Sequence, residues 1–135
     1  MAFVLDASVA LAWVLPDEGS EPAASVLARL ADENAIVPEV WPLEVANVLV
    51  VAHRRGRLST PELQRAVADL LALPIEVDQE THGRALGAIL QVAASRDLSA
   101  YDAAYLELAQ RRGLPLATLD LGLRSACAAA GIGII

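Results

Sequence analysis

The sequence contains no lysine, so all ten of its basic residues are arginine. This absence disfavours a phosphoacceptor signalling domain, a class that generally relies on a lysine beside its phosphorylated aspartate. There is a single cysteine, Cys127, which excludes an internal disulfide and a multi-cysteine zinc site and fits a reducing compartment. No uncharged apolar run reaches the roughly 18 residues that a membrane-spanning helix needs.

Charged residues make up only 20% of the chain and hydrophobic residues 56%, so disorder is not expected. The length of 135 residues is that of one ordinary domain, which can bury a core without disulfides. We predict a single domain over residues 1–135. Its apolar start has no basic leader and is interrupted by Asp6, which favours a buried strand and helix over a signal peptide. A soluble, cytoplasmic protein is the expectation.

The net charge of −7 argues against a broad electrostatic attraction to nucleic acid. The argument is limited, because bound divalent cations would neutralise the acids that repel phosphate most strongly. Two clusters of arginine are present, one at Arg54, Arg55 and Arg57 and one at Arg111 and Arg112. Both fit helix C-termini, where cations complement the helix dipole, and contact with phosphate is the alternative.

Short apolar runs alternate with longer segments of helical periodicity. The short runs predict strands at Phe3–Leu5, Ala35–Val37, Ile75–Val77, Leu116–Thr118 and Ile132–Ile134. The helical segments lie at about 7–15, 21–33, 41–54, 60–72, 79–95, 100–112 and 121–130. Strands that alternate with helices imply right-handed crossovers and a mainly parallel sheet covered on both faces. We predict a three-layer α/β/α domain with about five strands.

Several helix boundaries have a local cause. The segment Ser-Thr-Pro-Glu at residues 59–62 is a capping box with proline in the first turn, which predicts that a helix begins there. Gly113 follows a helical run, where a left-handed terminal residue is favoured. Ser99 is placed to cap a helix that carries Asp102 at its third position. This cap puts Asp102 in the first turn of its helix.

Four acidic residues stand where an apolar residue or a strand end is expected. Asp6 and Asp120 each end an apolar run, and Glu44 and Asp102 lie near the starts of two helices. In an open parallel sheet, ligands gather beyond the carboxyl ends of the strands, and the helices that follow those strands begin at the same edge. The four side chains are therefore expected to converge, although they are far apart in sequence.

Three of these acids have a simpler explanation as helix caps. Asp6 could cap the helix that begins near Ser8, and Asp120 could cap the helix that follows it. Asp102 could form half of a local cap with Ser99. Independent caps account for some of the acids, but not comfortably for the whole set.

Glu44 is harder to explain as a cap. It shares a helical stripe with Val40, Asn47, Val48 and Val51. An apolar side chain would pack there at a lower cost of desolvation, because a carboxylate avoids apolar surroundings unless a partner compensates. One shared partner for all four acids, a hard divalent cation, would provide this compensation.

Carboxylates held close together without a cation repel one another, and some take up protons through raised pKa values. Mg²⁺ or Mn²⁺ accepts such hard oxygen ligands and keeps coordination positions for water and phosphate. A metal in this setting can polarise a phosphodiester, generate hydroxide and stabilise the leaving oxygen. The acids therefore indicate a metal-dependent enzyme that hydrolyses a nucleic-acid backbone, and they do not by themselves identify the substrate.

The segments around these acids also resemble a known family. The segments are Val4–Ser8, Glu44–Asn47, Ser99–Tyr105 and Leu116–Asp120. In this order and at these intervals they resemble the PIN-domain ribonucleases, and among them the VapC-type toxins of bacterial toxin–antitoxin pairs. The resemblance runs from residue 3 to about residue 134. Any single motif is weak, whereas four in order are specific.

The resemblance implies two sets of site residues in a PIN-like fold. The metal-binding and catalytic acids are Asp6, Glu44, Asp102 and Asp120. The supporting polar residues, which would fix the geometry of the carboxylates, are Ser8, Asn47 and Thr118. The implied activity is Mg²⁺- or Mn²⁺-dependent endonucleolytic cleavage of RNA. The implied partners are a cognate antitoxin protein and a second copy of the chain in a homodimer.

One feature departs from the family pattern. Many relatives carry a further acid or amide shortly after the last aspartate, whereas Leu121 and Gly122 follow Asp120 in this chain. The sequence therefore does not predict a second metal ion in the resting protein, although substrate phosphate could recruit one.

Three other functions compete with this hypothesis. A phosphatase of the haloacid-dehalogenase type would need a second aspartate two positions after the first, and Ser8 occupies that position. A PIN-like binding or scaffold module with negligible turnover has no physical need for the four acids. A PIN-type nuclease acting on DNA would use the same acids, so only its substrate distinguishes it.

Overall fold

A parallel sheet of four strands forms the centre of the molecule. The computed structural model describes residues 1–135. Its strands are β1 (Ala2–Leu5), β2 (Asn34–Val37), β3 (Ile75–Val77) and β4 (Leu116–Ala117). They lie in the order β3–β2–β1–β4. Val4 in β1 pairs with Ile36 on one side and Leu116 on the other, so β1 is a central strand.

The fifth predicted segment, Ile132–Ile134, lies beside β4 and forms one parallel bridge, between Leu116 and Ile134. Leu116 N donates to Gly133 O at 2.9 Å, and Leu116 O accepts from Ile135 N at 3.0 Å. Because β4 has only two residues, it gives the segment little to pair with. The fifth strand is therefore present in its predicted place but is reduced to a single bridge.

The helices lie close to their predicted positions. They are α1 (Ala7–Val14), α2 (Glu21–Arg29), α3 (Trp41–Arg54), α4 (Thr60–Leu71), α5 (Thr81–Arg84), α6 (Leu90–Arg96), α7 (Ala100–Arg112) and α8 (Leu121–Ala129). A π-helical turn, Ala85–Ile89, joins α5 to α6, so the helix predicted over 79–95 has a different hydrogen-bond pitch inside it. No helix combines the length and the apolarity needed to cross a bilayer.

The strand order places the helices in two layers. The chain crosses the sheet from β1 to β2 to β3 and then returns to the far side of β1 to form β4. With right-handed crossovers, the helices before β3 cover one face and those after it cover the other. Accordingly, α1 contacts α2 and α3, and α3 contacts α4, whereas α7 contacts α6 and α8. The three-layer α/β/α prediction is confirmed.

The local signals also act as predicted. Ser59 Oγ accepts from Glu62 N at 3.2 Å, and Glu62 Oε1 accepts from Ser59 N at 2.9 Å, which completes the capping box. Ser99 Oγ accepts from Asp102 N at 3.1 Å at the start of α7. Gly113, at φ +66°, ends the same helix in the left-handed region. Both ends of α7, which carries Asp102, are therefore fixed by local sequence.

Candidate metal centre

The strand order switches at β1, because β2 and β3 lie on one side of it and β4 lies on the other. Ligands of open α/β sheets bind beyond the carboxyl ends of the strands at such a point. Asp6 directly follows β1, and Asp120 follows β4 after two intervening residues. Leu5 pairs with Ala117 in these neighbouring strands. Both aspartates therefore leave the sheet at the same edge.

Asp6 is only 6% exposed, and two hydroxyl groups hold one of its oxygens. Its Oδ2 accepts hydrogen bonds from Ser8 Oγ at 2.6 Å and from Thr118 Oγ1 at 2.7 Å. Leu119 N in turn donates to Ser8 Oγ at 3.0 Å. Asp120 N donates to Thr118 Oγ1, also at 3.0 Å. The structure thus brings Ser8 and Thr118 into contact with the carboxylate that they were predicted to support.

The second oxygen of Asp6 is left for another partner. Asp6 Oδ1 makes no hydrogen bond with the protein and is not sealed from solvent. Asp6 occupies the position before α1, but its side chain makes no capping hydrogen bond, so the explanation of Asp6 as a helix cap is wrong. A nearly buried carboxylate whose only partners are neutral hydroxyls has an uncompensated charge.

The other two aspartates differ in how their helices use them. Asp120 Oδ1 accepts from Leu123 N at 2.8 Å, so Asp120 does cap α8, and its Oδ2 has no partner in the protein. The carboxylate of Asp102 makes no hydrogen bond in the protein, because the cap at this helix is made by Ser99 alone. Capping therefore engages one carboxylate oxygen of Asp120 and none of Asp102, which leaves three oxygens of the two residues free to bind a ligand.

Glu44 is bonded to a residue that the sequence did not single out. Its Oε1 accepts a hydrogen bond of 2.6 Å from the hydroxyl of Tyr105, a side chain that is fully buried. Burial, with the charge of Glu44, raises the pKa of Tyr105 far above its ordinary range, so the phenol is a constant donor. The signal in the sequence was position alone, since Tyr105 lies one helical turn after Asp102.

Asn47 is the one supporting residue that the structure does not bring to the acids. Its side chain is exposed and makes no hydrogen bond to Glu44 or to any of the three aspartates. The other six predicted site residues lie near one another at the carboxyl edge of the sheet. A role for Asn47 stays a prediction.

The four acids, Asp6, Glu44, Asp102 and Asp120, are close enough to influence one another, and we call them the acid cluster. Burial raises the pKa of Asp102, and the charges of Asp120 and Asp6 raise it further. Burial also raises the pKa of Glu44; the bond from Tyr105 opposes this in part, and two of the aspartates add to it. None of the four takes part in an ion pair.

The chemistry of the acid cluster fits a hard divalent cation. No three His, Cys, Asp or Glu side chains are close enough to one point to ligate an ion together, and mutual repulsion of uncompensated carboxylates favours such a spread arrangement. Every donor is a carboxylate oxygen, the ligand that Mg²⁺ and Mn²⁺ prefer. Each carboxylate keeps at least one oxygen without a protein partner, and no arginine competes for it.

A second group of acids in the molecule is paired with arginine, and we call it the arginine network. Its members are Asp78, Glu80, Arg84, Glu107, Arg111 and Arg112. Arg111 bonds to Asp78 Oδ2 at 2.8 Å, to Glu107 Oε1 at 3.0 Å and to Glu80 Oε2 at 3.1 Å. Arg112 Nη1 lies 3.5 Å from Asp78 Oδ1. Arg111 and Arg112 lie in the last turn of α7, and their partners within the protein are carboxylates.

Comparison with known proteins identifies similar chains. A family model described as the PIN domain matches residues 3–129. Over 120 residues the chain is 30% identical to Ribonuclease VapC3 of Pyrobaculum aerophilum, and the alignment covers 89% of this chain and 90% of that protein. The match to the PIN-domain model spans all four members of the acid cluster.

Several solved structures have a similar fold, and one of them is a toxin–antitoxin complex. VapBC2 of Rickettsia felis, bound to a DNA fragment from its promoter, superposes with a TM-score of 0.69 at 9% identity and covers 100% of this chain and 98% of that one. A toxin–antitoxin complex from Klebsiella pneumoniae gives a TM-score of 0.58 at 19% identity and covers 87% of this chain and 86% of that one. At these identities the likeness concerns the fold.

Proposed function

The chain belongs to the PIN-domain family, in the group of the VapC ribonucleases, and from this premise we propose that it is a divalent-metal-dependent endoribonuclease and the toxin of a toxin–antitoxin pair. The observation that carries the proposal is the acid cluster, four carboxylates without a cationic partner at the edge of the sheet where ligands bind. A scaffold module would have no use for this arrangement, because it costs stability while it is empty of a counter-charge.

The residues of the acid cluster have separate tasks in the proposed reaction. Mg²⁺ or Mn²⁺, once bound, supplies an activated water and neutralises charge on the scissile phosphate. Asp6 would bind the cation through Oδ1, because Ser8 and Thr118 hold its Oδ2. Asp102 and Asp120 would contribute, directly or through water, their oxygens that have no protein partner. The hydroxyls thereby fix which face of Asp6 is available.

Glu44 has the remaining task. Its Oε1 is engaged by Tyr105, which leaves Oε2 either to complete the ligand set or to orient the attacking water for in-line attack on the phosphate. No histidine is needed as a base, and neither His53 nor His82 contacts the acid cluster.

The proposed partners are a cognate antitoxin and a second copy of the chain, both in the cytoplasm. Support comes from the fold, which the chain shares with the toxin–antitoxin complex from Klebsiella pneumoniae. It also comes from an apolar groove between α3 and α4, lined by Trp41, Pro42, Val45, Leu49, Val67 and Leu71. Contiguous exposed apolar surface of this kind is typical of interaction sites.

The proposal is tested by incubating the purified protein with a mixed single-stranded RNA and Mn²⁺, with and without a chelator. We expect internal cleavage of the RNA that the chelator abolishes. Single-stranded DNA of the same sequence is the control substrate, and cleavage of the DNA alone would make the protein a PIN-type DNA nuclease. RNA binding without cleavage in Mn²⁺ would contradict the enzyme and favour the scaffold module.

A further inference from the structure

Tyr105 joins two helices that lie on opposite faces of the sheet. It belongs to α7, three residues after Asp102, and its hydroxyl donates to Glu44 Oε1 of α3 at 2.6 Å across 61 residues of sequence. The ring is fully buried, so it is fixed by packing, and a buried phenol hydroxyl needs a hydrogen-bond partner. The bond therefore sets the position of one acid of the cluster relative to the helix that carries another.

Without this bond, no hydrogen bond from the protein would hold the carboxylate of Glu44 in the acid cluster. Its side chain has three rotatable bonds and is half-buried, and the carboxylates of Asp6 and Asp102 lie close to it. In a metal-free protein these effects favour rotamers that turn the carboxylate into water. The hydroxyl of Tyr105 opposes this movement by holding Oε1, and it leaves Oε2 as the oxygen without a protein partner.

We propose that Tyr105 is a positioning residue, which holds Glu44 ready to bind the divalent cation. The inference rests on the proposed function, since it assigns a role within the same metal centre. Residues that orient a metal-binding carboxylate by a hydrogen bond typically contribute 10- to 100-fold to metal affinity. Tyr105 would act through Glu44 alone and would not touch the cation, the water or the RNA.

The chain provides a matched pair of variants, because its two tyrosines lie on the same helix. Tyr105→Phe removes only the buried hydroxyl, and Tyr101→Phe makes the same change at a side chain that is 63% exposed. Mn²⁺ binding is measured by titration calorimetry without RNA. We expect the dissociation constant to rise about 10-fold or more in Tyr105→Phe and to stay within about twofold in Tyr101→Phe. An unchanged constant in Tyr105→Phe would overturn the inference.

The Glu44→Ala background separates positioning from a general effect on the fold. The hydroxyl has no carboxylate to hold in this background, so adding Tyr105→Phe should leave the Mn²⁺ dissociation constant within about twofold. A further 10-fold loss there would overturn the inference, because Tyr105 would then act on the structure and not on Glu44. Failure of the wild-type protein to bind Mn²⁺ would instead overturn the proposed function and the inference with it.

Discussion

The acid cluster and the arginine network place similar carboxylates in opposite surroundings. Asp6 directly follows β1 and is 6% exposed, and Asp78 directly follows β3 and is 5% exposed. The partner of Asp78 is the guanidinium of Arg111 at 2.8 Å, whereas Asp6 has only the neutral hydroxyls of Ser8 and Thr118. Position at a strand end and burial therefore do not by themselves distinguish a structural acid from a functional one.

The difference between the two groups is compensation of charge. Hydrogen bonds from Arg111 hold the pKa of Asp78 below its usual range, and burial raises the pKa of Glu44 and of Asp102. The arginine network is complete within the protein, because each acid has a cation. The acid cluster lacks a positive partner, and a bound metal ion is the partner that its all-oxygen ligands fit.

The largest expected effect comes from Asp6→Asn, which removes charge without changing volume. The amide oxygen can accept both hydroxyl bonds, because Ser8 and Thr118 donate to the same atom, Oδ2, so the fold should be unchanged. We expect Mn²⁺-dependent RNA cleavage to fall by more than about 100-fold, beyond the range for residues that only support a ligand. Initial rates measure this, and full activity would reject the assignment of Asp6.

Asp78→Asn is the matched change in the arginine network. It removes the same charge at the end of β3, the edge strand that pairs with β2, and no ligand is expected to bind there. We expect cleavage rates within about threefold of wild type, because Asp78 lies outside the acid cluster. We also expect a lower midpoint of urea unfolding, because the change weakens a buried ion pair. A loss of activity as large as that of Asp6→Asn would end the distinction between the two groups.

Removal of the central arginine should have the largest effect on stability. Arg111→Met leaves Asp78 and Glu107 buried without their main cation, and breaking a buried ion pair in this way costs about 3–5 kcal/mol. The control is Arg54→Met in the last turn of α3, where no carboxylate is paired, with an expected change within about 0.5 kcal/mol. Urea unfolding provides both values, and equal stabilities would contradict the account.

The pH dependence of the metal-free protein should differ in sign between the two groups. The pKa values of Glu44 and Asp102 are raised in the folded state. On acidification from neutral pH the folded chain therefore takes up protons at these groups before the unfolded chain does, and its free energy of unfolding increases. The pKa of Asp78 is lowered from 3.8, so its stabilisation is present above that value and is lost only as the pH falls further.

The measurement is urea unfolding in chelator from pH 7 downwards, with Glu44→Gln as the variant. We expect the wild type to gain stability on mild acidification and Glu44→Gln to gain less, because one of the two raised groups is gone. Below about pH 3.8 both proteins should lose stability as Asp78 is protonated. Identical pH profiles of the two proteins would contradict a raised pKa of Glu44 in the folded state.

The smallest expected effect concerns an arginine outside the network. Arg124 is exposed, has no carboxylate partner and donates to Thr118 O at 3.3 Å, one turn after Asp120. Arg124→Gln should raise the KM for RNA a few-fold and lower the salt dependence of KM by about one unit of log–log slope. Arg54→Gln is the control, and an equal effect in both variants would mean that only net charge matters.

Much of the fold was predictable because its signals are local. Ser59, Ser99 and Gly113 fix helix ends through contacts within a few residues, and the short apolar runs place the strands. The single bridge at Ile134 was not predictable as such, because it depends on the shortness of β4. The π-helical turn likewise has no sequence signal that we recognise.

The acid cluster was predictable for a different reason, since parallel strands and their following helices bring their ends to one edge. The sequence did not reveal the hydrogen-bond partners. Glu44 is bonded to Tyr105, 61 residues away, and Asp78 to Arg111, 33 residues away. Asp78 itself directly follows a predicted strand as Asp6 does, so position in the sequence does not show that an arginine pairs with one and not with the other. Pairings of this kind depend on packing between layers and not on periodicity.

The most direct test of the account is a crystal soaked in Mn²⁺ and measured at a wavelength where manganese scatters anomalously. We expect an anomalous peak in the acid cluster, held by Asp6 Oδ1 and by oxygens of Asp102, Asp120 and Glu44 either directly or through one water, and no peak in the arginine network. Four separately hydrated carboxylates, without a peak among them, would contradict it.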